Sequence, residues 1–375
     1  MPPALDDQDL LDIATAAARL APESERERRL PQALVEQMAA AGVFRLCVPA
    51  AAGGLEAHPA ETARVVEELA RADGAAGWCA AIGMTSGLLA AYLPPDSASE
   101  MYADPRSIAG GVFAPRGKAT TEPGGYRVSG RWPFASGCQH CDWLMGGVLV
   151  DDDPVPRLML APASDFTIHD TWHTMGLRGT GSHDIELDAV HVPRERSASL
   201  ISDRPTAPGP LYAFPVFGLL AMAIGATSLG MARGAIDDIV AIAGARTPTG
   251  SSRTLAQRPT AQAEVAAAEA RLRAARALLH ETIDEAWQEA SATGEVGIPH
   301  RTALRMAATH AATTGAEVTG AAYRLGGGSA VYETSPLPRR FRDANTATQH
   351  MLVAPSTWEL AGRLLLGVST DTAQL

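Results

Sequence analysis

The first residues whose types and spacing could carry chemistry are a pair of cysteines. Cys138 and Cys141 form a Cys-x-x-Cys pair, a spacing found in redox sites and zinc sites. A structural zinc site needs a second pair of ligands, but the other two cysteines, Cys47 and Cys79, stand alone. We therefore expect free thiols in the reducing cytoplasm and no bound metal.

Lysine chemistry is nearly absent, because only one of the 31 basic residues is a lysine, Lys118. It lies in a polar stretch, whereas a Schiff-base enzyme needs a buried lysine. A Walker A loop needs Ser or Thr directly after its lysine, and Ala119 stands there instead. These observations exclude lysine-dependent covalent catalysis and P-loop phosphate binding.

The overall composition is that of a globular acidic protein. The 375 residues include 42 acidic side chains, which gives a formal net charge of -11, and 46% are hydrophobic. This charge argues against nonspecific binding to nucleic acid or to an anionic membrane. No apolar run approaches the roughly 20 residues of a membrane helix, so we expect no membrane span.

The elements that must position any site fall into three regions with different periodicity. Helical spacing fills residues 1–107, short Gly- and Pro-bounded strands fill 108–204, and four long helices at about 217–243, 259–291, 300–325 and 351–366 fill 205–375. No Gly-x-Gly-x-x-Gly follows a strand, so a Rossmann domain is not indicated. We predict a mainly α protein with a central β domain (α+β), consisting of an N-terminal helical domain, a middle β-barrel of antiparallel strands, with a sandwich as the alternative, and a C-terminal four-helix bundle.

This order and five local motifs resemble the acyl-CoA dehydrogenase superfamily of flavoproteins. The resemblance extends from about residue 30 to the C-terminus, and it implies that superfamily's fold. The motifs lie at 42–55, at 65–73, at 126–137 (Tyr-Arg-Val-Ser-Gly-Arg-Trp-Pro-Phe-Ala-Ser-Gly), at 175–193 with Met-Gly-Leu-Arg-Gly-Thr-Gly-Ser, and at 326–344 with Gly-Gly-Gly and Arg-Asp-Ala.

One departure from the family decides the branch. Acyl-CoA dehydrogenases typically carry a catalytic glutamate shortly after the Arg-Asp-Ala motif, and here Met351 stands in its place, with His350 where a tyrosine would be. A thioether cannot take a proton, so the dehydrogenase base is missing at this position. A histidine here, together with the Phe-Ala-Ser-Gly turn, is similar to the two-component flavin-dependent monooxygenases of group D.

That branch implies a specific activity. A separate flavin reductase supplies reduced FMN or FAD, which reacts with dioxygen to a C4a-hydroperoxide that hydroxylates an aromatic or polycyclic small molecule. The assembly is expected to be a homotetramer in the cytoplasm, without a metal. The alternatives are an amine N-oxygenase, a desaturase whose base has moved to Glu317 or Glu333, and a scaffold without chemistry.

The resemblance also implies roles for individual residues. Ser136 would lie beside the flavin N5, and His350 would deprotonate the substrate, because its pKa is ordinarily near the working pH. The residues expected to bind the cofactor are Phe134, Ala135, Ser136, Trp172, Ser182, Arg258, Gly326 and Gly327. The residues expected to line the substrate pocket are Trp78, Met84, Ser86 and Tyr92.

Several of these roles have alternatives. Trp172 packs on the flavin or only anchors the β domain, and Gly326-Gly327 either approaches a neighbouring subunit's flavin or ends a helix. Arg178 is a second candidate for the flavin phosphate, beside a surface role for either arginine. Several aromatic-hydroxylating relatives have a histidine near the position of Ser86. The absence of that histidine here argues against a simple phenol as substrate.

Overall fold

The structure, a computed structural model, describes residues 5–247 and 252–375. Side-chain caps explain where two of the N-terminal helices start, because Asp6 accepts the N–H of Gln8 and Asp73 accepts the N–H of Ala76. The helices of this region are α1 (Asp7–Glu27), α2 (Gln32–Ala40), α3 (Pro59–Ala72), α4 (Gly74–Ser86) and α5 (Pro95–Met101).

A seven-stranded sheet follows. Its strands are β1 (Ala109–Glu122), β2 (Gly125–Ala135), β3 (Trp143–Val150), β4 (Asp153–Pro162), β5 (Thr167–His169), β6 (His183–Pro193) and β7 (Ser197–Ala198). The order is β5-β6-β2-β1-β3-β4-β7, with β5 and β7 at the edges. The sheet is mixed, whereas the sequence predicted a purely antiparallel barrel. The parallel pair is β1 with β3, because the chain crosses over after the β1–β2 hairpin before it forms β3.

The C-terminal region is helical, as predicted. Its helices are α6 (Pro210–Ala213), α7 (Val216–Ala245), α8 (Pro259–Thr293), α9 (Ile298–Gly326), α10 (Leu337–Ala347) and α11 (Ser356–Leu365). The helix predicted at 351–366 is shorter than expected. It consists of a 3-10 turn at Met351–Val353 and then α11, because Pro355 holds Ala354 in an extended conformation.

One hydrophobic cluster joins the N-terminal helices to the bundle. It contains Leu69 of α3, Ala76 of α4, Leu229 of α7 and Ala311 of α9, all completely buried. The two helical regions therefore share a core, while the sheet has its own core around Trp132. The predicted boundaries at 107/108 and 204/205 lie in the segments that connect the sheet to the helices.

Two helical segments have the length and composition of a membrane span, which the sequence analysis did not expect. They are Gly74–Tyr92, made of α4 and the 3-10 turn that follows it, and Val216–Ala245. Their most apolar windows are 94% and 89% buried inside the protein. Both segments are thus core helices of this fold.

Candidate active site

The pairing of β2 with β6 brings two of the predicted serines together. Ala135 and His183 are partners in the antiparallel register, so the next residue outward on each strand, Ser136 and Ser182, also face each other. Their hydroxyl oxygens are 2.7 Å apart. Trp78 of α4 donates its indole N–H to the same Ser136 oxygen at 3.0 Å.

The hydroxyl contacts continue beyond Ser182. The hydroxyl oxygens of Ser182 and Thr180 are 2.6 Å apart, and Thr180 donates to the carbonyl oxygen of Leu177 at 2.7 Å. Trp172 donates its indole N–H to the same carbonyl at 2.9 Å. All three hydroxyl side chains are buried. The site therefore contains a continuous chain of hydrogen bonds between two tryptophans.

An aromatic wall lies beside this chain. Phe134 meets Trp172 edge to face, with ring centroids 6.1 Å apart, and 65% of Phe134 is exposed. Strand alternation alone would place Phe134 on the same face as Trp132, which is completely buried. A bulge between Trp132 and Ala135 and a φ of 69° at Phe134 turn its ring outward. Strained backbone of this kind is concentrated at functional sites.

His350 also contacts Trp78. Its imidazole packs against the Trp78 ring, with centroids 5.6 Å apart. Burial, and to a lesser extent the charge of Arg305, lowers the pKa of His350 to about 4, so the ring is neutral at neutral pH. The Leu352 N–H donates to Nδ1 at 3.3 Å. In the neutral ring the proton is then on Nε2.

These residues fit a flavin. The buried oxygens of Ser136 and Ser182 offer polar contacts to a ring nitrogen, and Phe134 with Trp172 offers an apolar aromatic surface to a flat ring. The predicted cofactor residue Ala135 is completely buried. Residues from β2, from the loop before β6 and from α4 would thus hold the ring.

Three of the four predicted substrate residues are buried. Trp78 is at the site, but Met84 is completely buried and Ser86 nearly so. At about 100° per residue, Met84 is turned about 120° around α4 from Trp78, and it packs within the helical core. Tyr92 is half-buried, and burial raises the pKa of its hydroxyl to about 12. Contact of Met84, Ser86 and Tyr92 with a substrate remains a prediction.

The remaining predicted cofactor residues lie at helix ends of the C-terminal bundle. Gly326 ends α9 and Gly327, with a φ of 50°, caps it, so the structure shows a helix stop. Arg246 donates to the Gly326 carbonyl, and Arg258 precedes α8 near the same end of the bundle. A contact of this end with a neighbouring subunit's flavin stays a prediction. Arg178 donates to backbone carbonyls.

Residues proposed for other chemistry are not assembled. Glu317 and Glu333, the candidate relocated bases, are both exposed. Burial raises the pKa of the Cys138 thiol to about 12 and that of Cys141 well above its usual value. Within residues 5–247 and 252–375, no group of His, Cys, Asp and Glu is arranged to hold a metal ion.

Sequence reasoning missed three residues that organise the site. Thr180 was visible within the Gly-Thr-Gly-Ser motif, but the motif did not show that its hydroxyl continues the chain from Ser182. Asp343 accepts the Leu177 N–H at 2.6 Å, and Arg305 donates to the Leu352 carbonyl behind His350 at 3.1 Å. Both are long-range contacts that no local pattern reveals.

Known proteins share this architecture. Residues 13–94 match the acyl-CoA dehydrogenase N-terminal domain, and residues 222–355 match the acyl-CoA dehydrogenase C-terminal domain. The indole-3-acetate monooxygenase of Pseudomonas putida is 37% identical over 96% of this chain and 92% of its own length.

Solved structures agree with these matches. The 3-HSA hydroxylase from Rhodococcus sp. RHA1 has a TM-score of 0.92 at 27% identity, covering 98% of both chains. XiaF from Streptomyces sp., solved with FADH2 and glycerol, has a TM-score of 0.89 at 27% identity, covering 97% of this chain and 96% of its own. The chain therefore belongs to the acyl-CoA dehydrogenase family, within its branch of two-component flavin-dependent monooxygenases.

Proposed function

We propose that this protein is the oxygenase component that inserts one oxygen atom of dioxygen into an electron-rich aromatic ring, with an indole as the first substrate class to test. The balanced reaction converts substrate C–H, dioxygen and reduced flavin into substrate C–OH, oxidised flavin and water. Reduction of dioxygen to one hydroxyl oxygen and one water takes four electrons. Two of them come from the substrate C–H bond and two from the reduced flavin. The indole class is suggested by the relative that is named for indole-3-acetate.

One arrangement carries this proposal. Trp78 donates to Ser136 and packs against His350, so one indole ring contacts both the predicted flavin contact and the predicted substrate contact. These residues come from α4, the end of β2 and the segment after α10. A fold that had lost its chemistry would have no need to bring them together.

The flavin supplies the two electrons and activates dioxygen when it is bound. The chain's own residues would hold the ring and exclude water. Ser136 and Ser182 would accept hydrogen bonds from its edge, and Trp172 and Phe134 would cover its apolar surface. A dry site matters, because water and protons divert the oxygen to hydrogen peroxide.

His350 has the proposed role of orienting the substrate. The resemblance implies a base, but a neutral ring with a pKa lowered to about 4 has little tendency to take a proton. Because Nδ1 accepts from Leu352, the Nε2 hydrogen is free to donate to a polar group of the substrate. An indole ring is nucleophilic without deprotonation, so a hydrogen-bond donor fits this substrate class better than a base does.

The same proposal includes the partners. A separate flavin reductase supplies the reduced FMN or FAD in the cytoplasm, and four copies form a homotetramer. Exposed large apolar side chains after α9 and in and just after α11 support an assembly, because such residues can mark an interface between protein chains. They are Val331, Tyr332, Trp358, Leu365 and Leu366.

The test combines the purified protein with an NADH-dependent flavin reductase, FMN or FAD, isotopically labelled dioxygen and either indole-3-acetate or a simple phenol. We expect a hydroxylated indole product that carries the label, with consumption of dioxygen matched by product. If all dioxygen is recovered as hydrogen peroxide with both compounds and both flavins, the proposed activity is wrong for these substrates.

A further inference from the structure

The hydrogens in the chain from Trp78 to Leu177 can be placed from the two ends. An indole N–H only donates, and a carbonyl oxygen only accepts. Thr180 Oγ1 is 2.7 Å from the Leu177 carbonyl oxygen, a distance that requires a hydrogen between them. The Thr180 hydroxyl must supply that hydrogen, so it has none left for Ser182.

The direction of the remaining bonds follows from this end. At 2.6 Å from Thr180, the Ser182 hydroxyl must donate to Thr180. At 2.7 Å from Ser182, the Ser136 hydroxyl must then donate to Ser182. Trp78 completes the chain by donating to Ser136 at 3.0 Å. Every hydroxyl hydrogen in the chain is therefore committed to its neighbour.

This commitment determines what the serines can still do. A hydroxyl oxygen has two lone pairs, and Ser136 and Ser182 each use one of them within the chain. Each serine retains one acceptor site and no free hydrogen. Ser136 is 7% exposed and Ser182 is 3% exposed, so water has little access to compete for these sites.

We propose that this directed chain makes the site selective for reduced over oxidised flavin, with Thr180 as the positioning residue that fixes the direction. The inference rests on the proposed function, because it assumes that the N5 edge of a flavin faces Ser136 and Ser182. Reduced flavin carries a hydrogen on N5 and can donate to a serine oxygen. Oxidised flavin has only a lone pair on N5, which would face another lone pair.

The selectivity has a functional consequence. An oxygenase that takes reduced flavin from a separate reductase must bind it in competition with the oxidised flavin present in the same solution. It must also release the oxidised product for the next cycle. A chain of hydroxyls that offers only acceptors favours both the binding of reduced flavin and the release of oxidised flavin, without any movement of the backbone.

The experiment is an anaerobic titration of the protein with reduced and with oxidised FMN and FAD, together with the midpoint potential of the bound flavin. We expect wild type to bind reduced flavin more tightly. Thr180→Val keeps the side-chain shape but frees the Ser182 hydrogen to donate to oxidised N5. One hydrogen bond corresponds to a roughly tenfold loss of the preference, equivalent to about 30 mV for a two-electron couple.

Two variants control for packing. Thr180→Ser restores the hydroxyl, and we expect it to restore the preference. Thr319→Val removes the hydroxyl of another buried threonine that donates to a carbonyl, that of Gly315 in α9, and we expect the preference of wild type. If Thr180→Val does not fold, Ser182→Ala provides the same test, because it frees the Ser136 hydrogen.

The outcomes separate this inference from the proposed function. Equal affinity of wild type for both flavins, or an unchanged preference in a folded Thr180→Val or Ser182→Ala variant, would overturn the directed chain. In either case hydroxylation by wild type would still support the oxygenase function. No binding of reduced flavin at all would overturn both.

Discussion

Asp343 Oδ1 accepts a 2.6 Å hydrogen bond from the backbone N–H of Leu177, which is 166 positions earlier in the chain. This bond joins α10, the helix just before His350, to the loop that carries the hydroxyl chain. Leu177 has a φ of 50°, a region that residues with a side chain rarely adopt. Because the Leu177 carbonyl accepts from both Trp172 and Thr180, Asp343 fixes the acceptor end of the chain.

The first prediction concerns the charge of Asp343. Burial raises the pKa of Asp343 to about 7, and the negative charges of Asp73 and, to a smaller extent, Glu25 act in the same direction. The Leu177 N–H and the charge of Arg339 act against this rise in the pKa. A carboxyl whose pKa is higher in the folded than in the unfolded protein stabilises the fold fully below its unfolded pKa, which is near 4. That stabilisation is lost as the pH rises through the folded pKa of about 7. Asp343→Asn keeps the acceptor for Leu177 and cannot ionise.

We therefore expect the stability advantage of Asp343→Asn over wild type to grow by about 2 kcal/mol between pH 5 and pH 8. Urea unfolding at several pH values measures this difference. Asp343→Ala is the matched control, since it removes the acceptor as well and should destabilise the protein at every pH relative to Asp343→Asn. A difference between Asp343→Asn and wild type that does not change with pH would contradict the assigned pKa.

The second prediction concerns the Cys138–Cys141 pair. Cys138 Sγ donates to the Gly181 carbonyl at 3.5 Å, and Cys141 Sγ donates to the Gly137 carbonyl at 3.3 Å, so both thiols act as weak donors to turns. Because burial raises the pKa of both thiols, little reactive thiolate forms near neutral pH. The double variant Cys138→Ala/Cys141→Ala should hydroxylate at a rate within about threefold of wild type, since two weak bonds of this kind contribute little.

Product formation by the double variant, together with the reaction of native protein with a thiol reagent at pH 8, measures both parts of this prediction. A much larger loss of hydroxylation with flavin binding intact would indicate a redox role for the pair. Rapid modification of Cys138 in the native protein would contradict its burial, whereas Cys141 is half-buried.

The site residues that the sequence could identify lie in short motifs, whereas those it could not identify depend on contacts between distant segments. Ser136, Ser182 and His350 lie in short contiguous motifs, so the sequence alone pointed to all three. The Asp343–Leu177 bond depends on how the bundle packs against the sheet, and no short pattern reports such packing. Phe134 is exposed because a bulge breaks the strand alternation, and period-two patterning cannot anticipate an extra residue.

The third prediction concerns the indole N–H of Trp78. Trp78→Phe keeps an aromatic ring against His350 but removes the donor to Ser136. One lost hydrogen bond of about 1 kcal/mol should leave Ser136 less well positioned and lower the yield of product per dioxygen by roughly fivefold. The measurement is the partition of consumed dioxygen between hydroxylated product and hydrogen peroxide.

Trp132→Phe is the matched control for that variant. In wild type, Trp132 donates its indole N–H to the Gly147 carbonyl at 2.7 Å in the core of the sheet. The phenylalanine variant therefore also loses one donated hydrogen bond. It should lower stability without changing the partition of dioxygen. If both variants uncouple the reaction equally, the effect comes from general loosening and Trp78 has no special role.

The last prediction separates the two roles of His350. His350→Ala should lower product formation by about 100-fold while flavin binding is retained, since orientation and proton-handling groups contribute effects of this size. His350→Gln carries an amide N–H near the position of Nε2 but cannot take a proton. If His350 donates to the substrate, the glutamine variant should retain a large part of the activity that the alanine variant loses.

The pH dependence gives an independent reading of the same residue. With a pKa lowered to about 4, His350 stays neutral from pH 8 down to about pH 5, so its protonation should not reduce hydroxylation in that range. A general base with an ordinary histidine pKa would instead lose activity below about pH 6.5. A glutamine variant as inactive as the alanine variant, together with such a loss in wild type, would establish His350 as the base and overturn the donor role.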